Sequence, residues 1–200
     1  MKALVTGFEP FGGEQTNPSY EAVALLPERI DSVELIKAKL PVSFNDSGPA
    51  LAELIRKYQP DVVICVGQAG GYAAIAVERV AINLRDAAAP DNSGVQPEEQ
   101  PITADGPDAY FSSLPVKKIV AAMRHSSIPA FISNSAGTFV CNNVMYTLLD
   151  LIHRNKLPIR GGFIHVPYSS QQVVSKAPNT PSMELTQMAR GLEAAIRALL

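Results

Sequence analysis

Apolar, β-branched runs alternate along this chain with segments of helical period, and nothing else in the sequence restricts the fold as much. Lys2 to Thr6, Val33 to Leu40, Asp61 to Val66, Ala130 to Ser133 and Gly162 to Val166 read as strands. Pro18 to Leu26, Pro49 to Tyr58, Pro115 to His125, Phe139 to Arg154 and Met183 to Leu200 read as helices. Asn17 followed by Pro18 is a cap residue with proline at the first helical position, and Ser182 before Leu185 and Met188 reads as the opening of the last helix. Strands too apolar to have a wet face, separated by helices, predict an α/β fold. The expected architecture is a single domain over residues 1–200, with a mostly parallel twisted sheet sandwiched by helices. A chain of 200 residues that is 46% apolar has enough material for one such core.

One segment departs from the alternation. Arg85 to Ser113 is rich in Pro, Asp and Gly and has little periodicity. A long irregular stretch inside a compact domain is usually functional, which predicts a lid or a subunit contact here.

Charge excludes several classes of partner. The net charge is -2, with no basic cluster, so a nucleic-acid or membrane-surface protein is not expected. The uncharged stretch Ile128 to Leu149 has the length of a membrane span. It carries Ser133, Asn134, Ser135, Thr138, Asn142 and Asn143, which are costly in hydrocarbon without partners. No targeting segment is recognised, because the apolar run before Phe8-Glu9-Pro10 is too short for a signal peptide. Two cysteines far apart, Cys65 and Cys141, form no C-x-x-C pair, which argues against a disulfide framework or a zinc site and for a cytoplasmic, reducing setting.

Ligands of open α/β sheets bind outside the carboxyl ends of the strands. That rule directs attention to Gly7 to Asn17, Gly67 to Tyr72, Asn134 to Asn142 and His165 to Ser170. Cys141 stands at a predicted helix start, where the dipole and free backbone N–H groups favour a thiolate and suit an oxyanion. Cys65, inside Val62-Val63-Ile64-Cys65-Val66, shows the plain alternative of a buried structural cysteine. A thiolate hydrolase needs a histidine. His125 ends a helix, and His153 lies some twelve residues along the helix that starts near Cys141, roughly 18 Å away at about 1.5 Å per residue. His165 remains, closing a strand. Ala76, Glu78, Val80, Ile82 and Leu84 alternate as one strand face, on which Glu78 is the sole charge and therefore needs a partner. That partner is either a histidine N–H, which the carboxylate would orient, or a lysine or arginine in a structural pair. Thr6-Gly7-Phe8-Glu9-Pro10-Phe11-Gly12-Gly13 lacks the spacing of a nucleotide loop, and its two phenylalanines read either as a small apolar ring pocket or as buried aromatics in a turn.

Four stretches together resemble the pyroglutamyl peptidase I family of cysteine peptidases, also called pyrrolidone-carboxylate peptidases. They are Thr6 to Gly13, Gly67-Gln68-Ala69-Gly70-Gly71 leading to Glu78 to Asn83, Ser135 to Asn142, and Gly161 to Pro167. The resemblance spans essentially the whole chain. It implies an omega-type exopeptidase that removes N-terminal pyroglutamate from peptides through a thioester, with Cys141, His165 and Glu78 as catalytic residues. It further implies that Phe8, Phe11, Asn17, Gln68 and Phe139 bind the substrate, that no metal or other cofactor is used, and that the enzyme is cytosolic and a homotetramer. Three positions depart from the family pattern: Ala76 replaces Ser or Thr, Tyr72 replaces a common arginine, and Ala88 replaces the arginine that usually precedes Pro-Asp-Asn. A cation lost from an oxyanion costs about 2 to 4 kcal/mol, and Arg85 would replace it only through a rearranged loop. Two alternatives stay open at this stage: a related cysteine amidohydrolase acting on another lactam or amide, and an inactive pyroglutamate-binding homologue.

Overall fold

The computed structural model describes residues 1–200. Its centre is a seven-stranded sheet, β1 (Lys2–Phe8), β2 (Arg29–Ile30), β3 (Val33–Leu40), β4 (Val62–Gln68), β5 (Ile75–Glu78), β8 (Ala130–Ser133) and β9 (Arg160–Val166), in the order β2-β3-β1-β4-β9-β5-β8. The four strands β3, β1, β4 and β9 run parallel. β2 reverses on one edge, and β5 runs antiparallel to β9 with β8 parallel to it. The sheet is therefore mostly parallel, with a reversed pair at one side.

Burial explains the apolar runs. β1, β4 and β9 are buried along almost their whole length because helices cover both faces. On one face α1 (Pro18–Ala24), α3 (Val116–His125) and α5 (Leu185–Arg197) pack together over Ala3, Val5, Ile64 and Val66. On the other, α2 (Ser47–Tyr58) and α4 (Val140–Arg154) cover Leu4, Val63, Cys65 and Phe163. The Asn17 cap is present: its side chain accepts from the Ser19 N–H, and Pro18 opens α1.

Two expectations are corrected. The alternation Ala76 to Leu84 is not one strand face. It breaks at Arg79, whose N–H donates to the Ser133 carbonyl while its own carbonyl accepts from the Ser112 N–H. Beyond that crossover β6 (Val80–Ile82) leaves the main sheet and pairs with β7 (Ala109–Phe111), so Val80 and Ile82 are only partly buried. The last helix also opens later than Ser182. Ser182–Met183 form a short strand, β11, beside β10 (Tyr168–Ser169), and Glu184 occupies the position before α5. Strands this short have no period to detect.

The irregular segment after β6 is stitched to the body. Arg85 and Gln100 exchange both backbone hydrogen bonds. The buried Asp91 carboxylate accepts from the Phe44, Ser93 and Val95 N–H groups, and the Asn92 amide donates to Glu9 Oε1 and the Pro10 carbonyl. These bonds clamp the glycine-bearing loop after β1, which is how the segment bears on the site.

Candidate active site

Register carries the geometry. In neighbouring strands Gly67, His165 and Ala76 are successive partners, so the three share one row and one face of the sheet. Glu78 lies two residues along β5 on that face, and its Oε1 sits 2.8 Å from His165 Nδ1. Glu78 is fully buried and His165 nearly so. The charge that sequence alternation singled out thus meets a histidine, and no lysine or arginine pairs with it. Its second oxygen, Oε2, is buried without a hydrogen-bond partner, which concentrates the carboxylate's stabilisation on the imidazole side.

Cys141 comes from the other layer. It stands in the first turn of α4, and a Cβ added to Gly67 would lie 2.8 Å from its Sγ and 2.7 Å from the Phe163 ring. A residue with a side chain cannot occupy Gly67 without displacing the sulfur, the usual meaning of glycine inside a strand. In sequence the strand reads as ending at Val66 with Gly67 in the following loop, whereas β4 continues through Gln68. Phe139 at the N-cap makes no side-chain cap bond, and the first helical bond is Asn143 N–H to the Phe139 carbonyl. The amides at the start of α4 therefore face the site without an internal competitor. Burial alone would lower the His165 pKa; the Cys141 charge and hydrogen bond, then Glu78, outweigh it and raise the value from 6.5 to about 10. The other histidines stand apart: His125 and His153 are exposed, and His153 packs its ring on Tyr110.

Beside the sulfur, Phe8, Phe11, Asn17, Val42, Gln68, Phe139, Val140 and Cys141 line a slot of about 20 Å³. All five residues expected to bind substrate are among them. Phe11 and Phe139 face each other at 6.2 Å between ring centroids, and Phe44 holds Phe139 edge-on. Asn17 is held by donating to the Glu9 carbonyl and accepting from Ser19. Gln68 Oε1 accepts from Gln172 Nε2, which leaves its own amide N–H groups for a ligand. Val42 and Gln172 had no signal in sequence, since their place depends on strands and turns far apart in the chain. Arg85 does not take the place of a site arginine: its Nε donates to Asn143 Oδ1 at 2.8 Å, on the far side of the α4 start. No metal-binding cluster of His, Cys, Asp and Glu exists, and no helix is long and apolar enough to cross a membrane.

A larger cavity of about 770 Å³, lined by Ile55, Arg56, Asp61, Leu151 and Leu157, opens at the opposite rim of the sheet, where β4 begins. It holds no cysteine, serine or histidine, and its carboxylate, Asp61, accepts from the Lys2 N–H. Chemistry, not volume, makes the slot beside Cys141 the candidate site.

The chain has relatives along its whole length. The family profile described as Pyroglutamyl peptidase (Peptidase_C15) matches residues 1–200. The pyrrolidone-carboxylate peptidase of Thermosipho africanus is 54% identical over 100% of this chain and 97% of its own length. A pyrrolidone-carboxylate peptidase of Caldanaerobacter subterraneus is 51% identical over 100% and 98% respectively. The crystal structure of Bacillus amyloliquefaciens pyroglutamyl peptidase I superposes with a TM-score of 0.94 at 47% identity, covering 97% of this chain and 94% of that one. Pyrrolidone carboxyl peptidase from Thermococcus litoralis gives a TM-score of 0.95 at 40% identity, covering 98% and 92%. A match of this extent, over every element of the fold, makes the chain a member of the pyroglutamyl peptidase family.

Proposed function

We propose that this chain is a cysteine-type hydrolase that removes N-terminal pyroglutamate from peptides, with Cys141 as nucleophile, His165 as acid and base, and Glu78 as the group that orients the histidine. The observation that carries the assignment is the 2.8 Å contact between Glu78 Oε1 and His165 Nδ1, on the row of the sheet where Gly67 admits the Cys141 sulfur. With Nδ1 held by Glu78, Nε2 is the nitrogen that exchanges protons with the thiol and the leaving group.

Cys141, as the thiolate, attacks the pyroglutamyl carbonyl, and the oxyanion forms against the amides at the start of α4. His165, carrying a proton, gives it to the departing amine. Water then adds to the thioester with His165 as base, releasing pyroglutamate and the thiol. The substrate ring carries no charge, which suits a slot of three phenylalanines, an asparagine and a glutamine. A slot of about 20 Å³ holds little more than one water, so the ring enters by parting Phe11 and Phe139. Phe11 adjoins Gly12 and Gly13, whose φ values of 62° and 80° give that loop a backbone that other residues rarely adopt.

A free, partly exposed Cys141 works only while reduced, which supports a cytoplasmic setting. A homotetramer is the expected assembly from the family resemblance, and light scattering on the purified chain tests it. The activity is tested with a pyroglutamyl-aminocoumarin substrate. Cys141→Ala and Cys141→Ser should lose about 10⁴-fold or more in kcat; wild-type turnover in either variant overturns the role of Cys141.

A further inference from the structure

The slot and the triad account for the substrate up to the scissile bond. The strand order carries the path further. The slot lies over β1 and β4, which supply Phe8 and Gln68, with Val42 following β3. The sulfur stands over Gly67 of β4, and His165 follows on β9, one strand along. The amine that takes a proton from His165 must leave on that side, so the peptide beyond the scissile bond runs on toward β5 and β8.

The next positions in the same row are Ala76 of β5 and Phe131 of β8, paired with each other and, through Ala76, with His165. Paired residues share a face, so Phe131 stands on the active-site side of the sheet; its neighbour Ile132 packs into the opposite core. Tyr72, in the turn between β4 and β5, meets the Phe131 ring edge to face, with centroids 5.4 Å apart. Tyr72 is exposed and Phe131 partly so. Ala76, between His165 and Phe131, is fully buried, so the peptide passes above the groups that cover it rather than along the sheet itself. Neighbouring strands are about 4.8 Å apart, which places the Phe131 backbone roughly 10 Å from that of His165. One extended residue with a large side chain covers that distance from the scissile nitrogen.

The geometry points to Tyr72 and Phe131 as an aromatic platform that binds the side chain of the residue following pyroglutamate, giving the enzyme a preference for an aromatic or large apolar leaving group. The inference rests on the proposed pyroglutamyl peptidase activity and adds a specificity determinant to it. Aromatic side chains favour offset or edge-to-face contacts, and an open platform contributes less than an enclosed pocket.

The test compares pyroglutamyl-phenylalanine amide with pyroglutamyl-glycine amide on the full-length enzyme. The wild type should prefer the first by about 5- to 10-fold in kcat/KM. Tyr72→Ala should bring that ratio close to one, and Tyr72→Phe should restore it. Retained circular dichroism in both variants guards against an effect of unfolding. A wild-type ratio near one, or a preference that survives Tyr72→Ala, overturns the platform while leaving the pyroglutamyl activity standing. Turnover of neither amide by the wild type defeats the activity assignment, and the platform with it.

Discussion

Cys65 and Cys141 are the same side chain in two settings within one core layer. Cys65 lies in the middle of β4, completely buried between Thr6 and Phe163 on the flanking strands, and burial pushes its pKa up to about 12. Cys141 stands two residues past an uncapped N-terminus, partly exposed, facing a histidine that a carboxylate holds. Under the proposed mechanism the contrast separates a structural thiol from a nucleophile. Sulfur chemistry is common to both; the difference lies in free amides, a proton acceptor and access to substrate. A place inside an apolar strand buries one cysteine, and a place at a helix start leaves the other partly exposed.

The comparison is sharpened most by removing what only Cys141 has. Glu78→Gln keeps the shape beside His165 but replaces an acceptor that fixes the tautomer, and kcat should fall by about 100-fold or more. The same variant should move the alkaline limb of the pH profile. The protonated imidazole donates to the leaving amine, and its raised pKa of about 10 keeps that form present until the pH climbs through about 10. Burial alone pulls the value down, so losing the Glu78 contribution should shift the limb to lower pH. A variant whose limb stays near the wild-type position would show that Cys141 alone sustains the imidazolium. Gly67→Ala comes next, at about 10- to 100-fold in kcat, because the new Cβ pushes Sγ off its line to the carbonyl. Normal kcat in a folded Gly67→Ala enzyme would mean that the helix start yields freely and that the close approach has no catalytic value.

The layers of the fold were legible because its parallel strands are buried on both sides and carry no polar alternation to confuse them. Asn17 and Pro18 fixed α1 by local chemistry, and the structure keeps both. Legibility failed where local pattern and tertiary pairing diverge. Arg79 continues an alternation in sequence yet hands the chain from the main sheet to the β6–β7 ribbon, a turn made by hydrogen bonds to residues more than thirty positions away. The site showed the same division. Glu78 was visible as a charge in an apolar row, whatever became of that row beyond Arg79. Cys141 and His165 followed from element ends and from the shortage of histidines. Asp91 and Asn92, which anchor the slot's loop, and Gln172, which orients Gln68, depend on contacts between distant segments and left no local signature.

Cys65 supplies the smallest effect and the cleanest control. Cys65→Ala removes one buried sulfur from a packed strand, which should cost about 1 to 2 kcal/mol and lower Tm by a few degrees. The triad lies on other residues, so kcat should stay within about twofold of the wild type. Iodoacetamide distinguishes the thiols directly: it should inactivate the wild type and Cys65→Ala at equal rates, with the label on Cys141, because a thiol with a pKa of about 12 offers almost no thiolate at neutral pH. Inactivation that slows in Cys65→Ala, or label recovered on Cys65 in the folded wild type, would break the contrast, since β4 would then have to open far enough to expose the centre of the sheet. Equal rates would fix the reactivity at the helix start, where the amides and the imidazole converge.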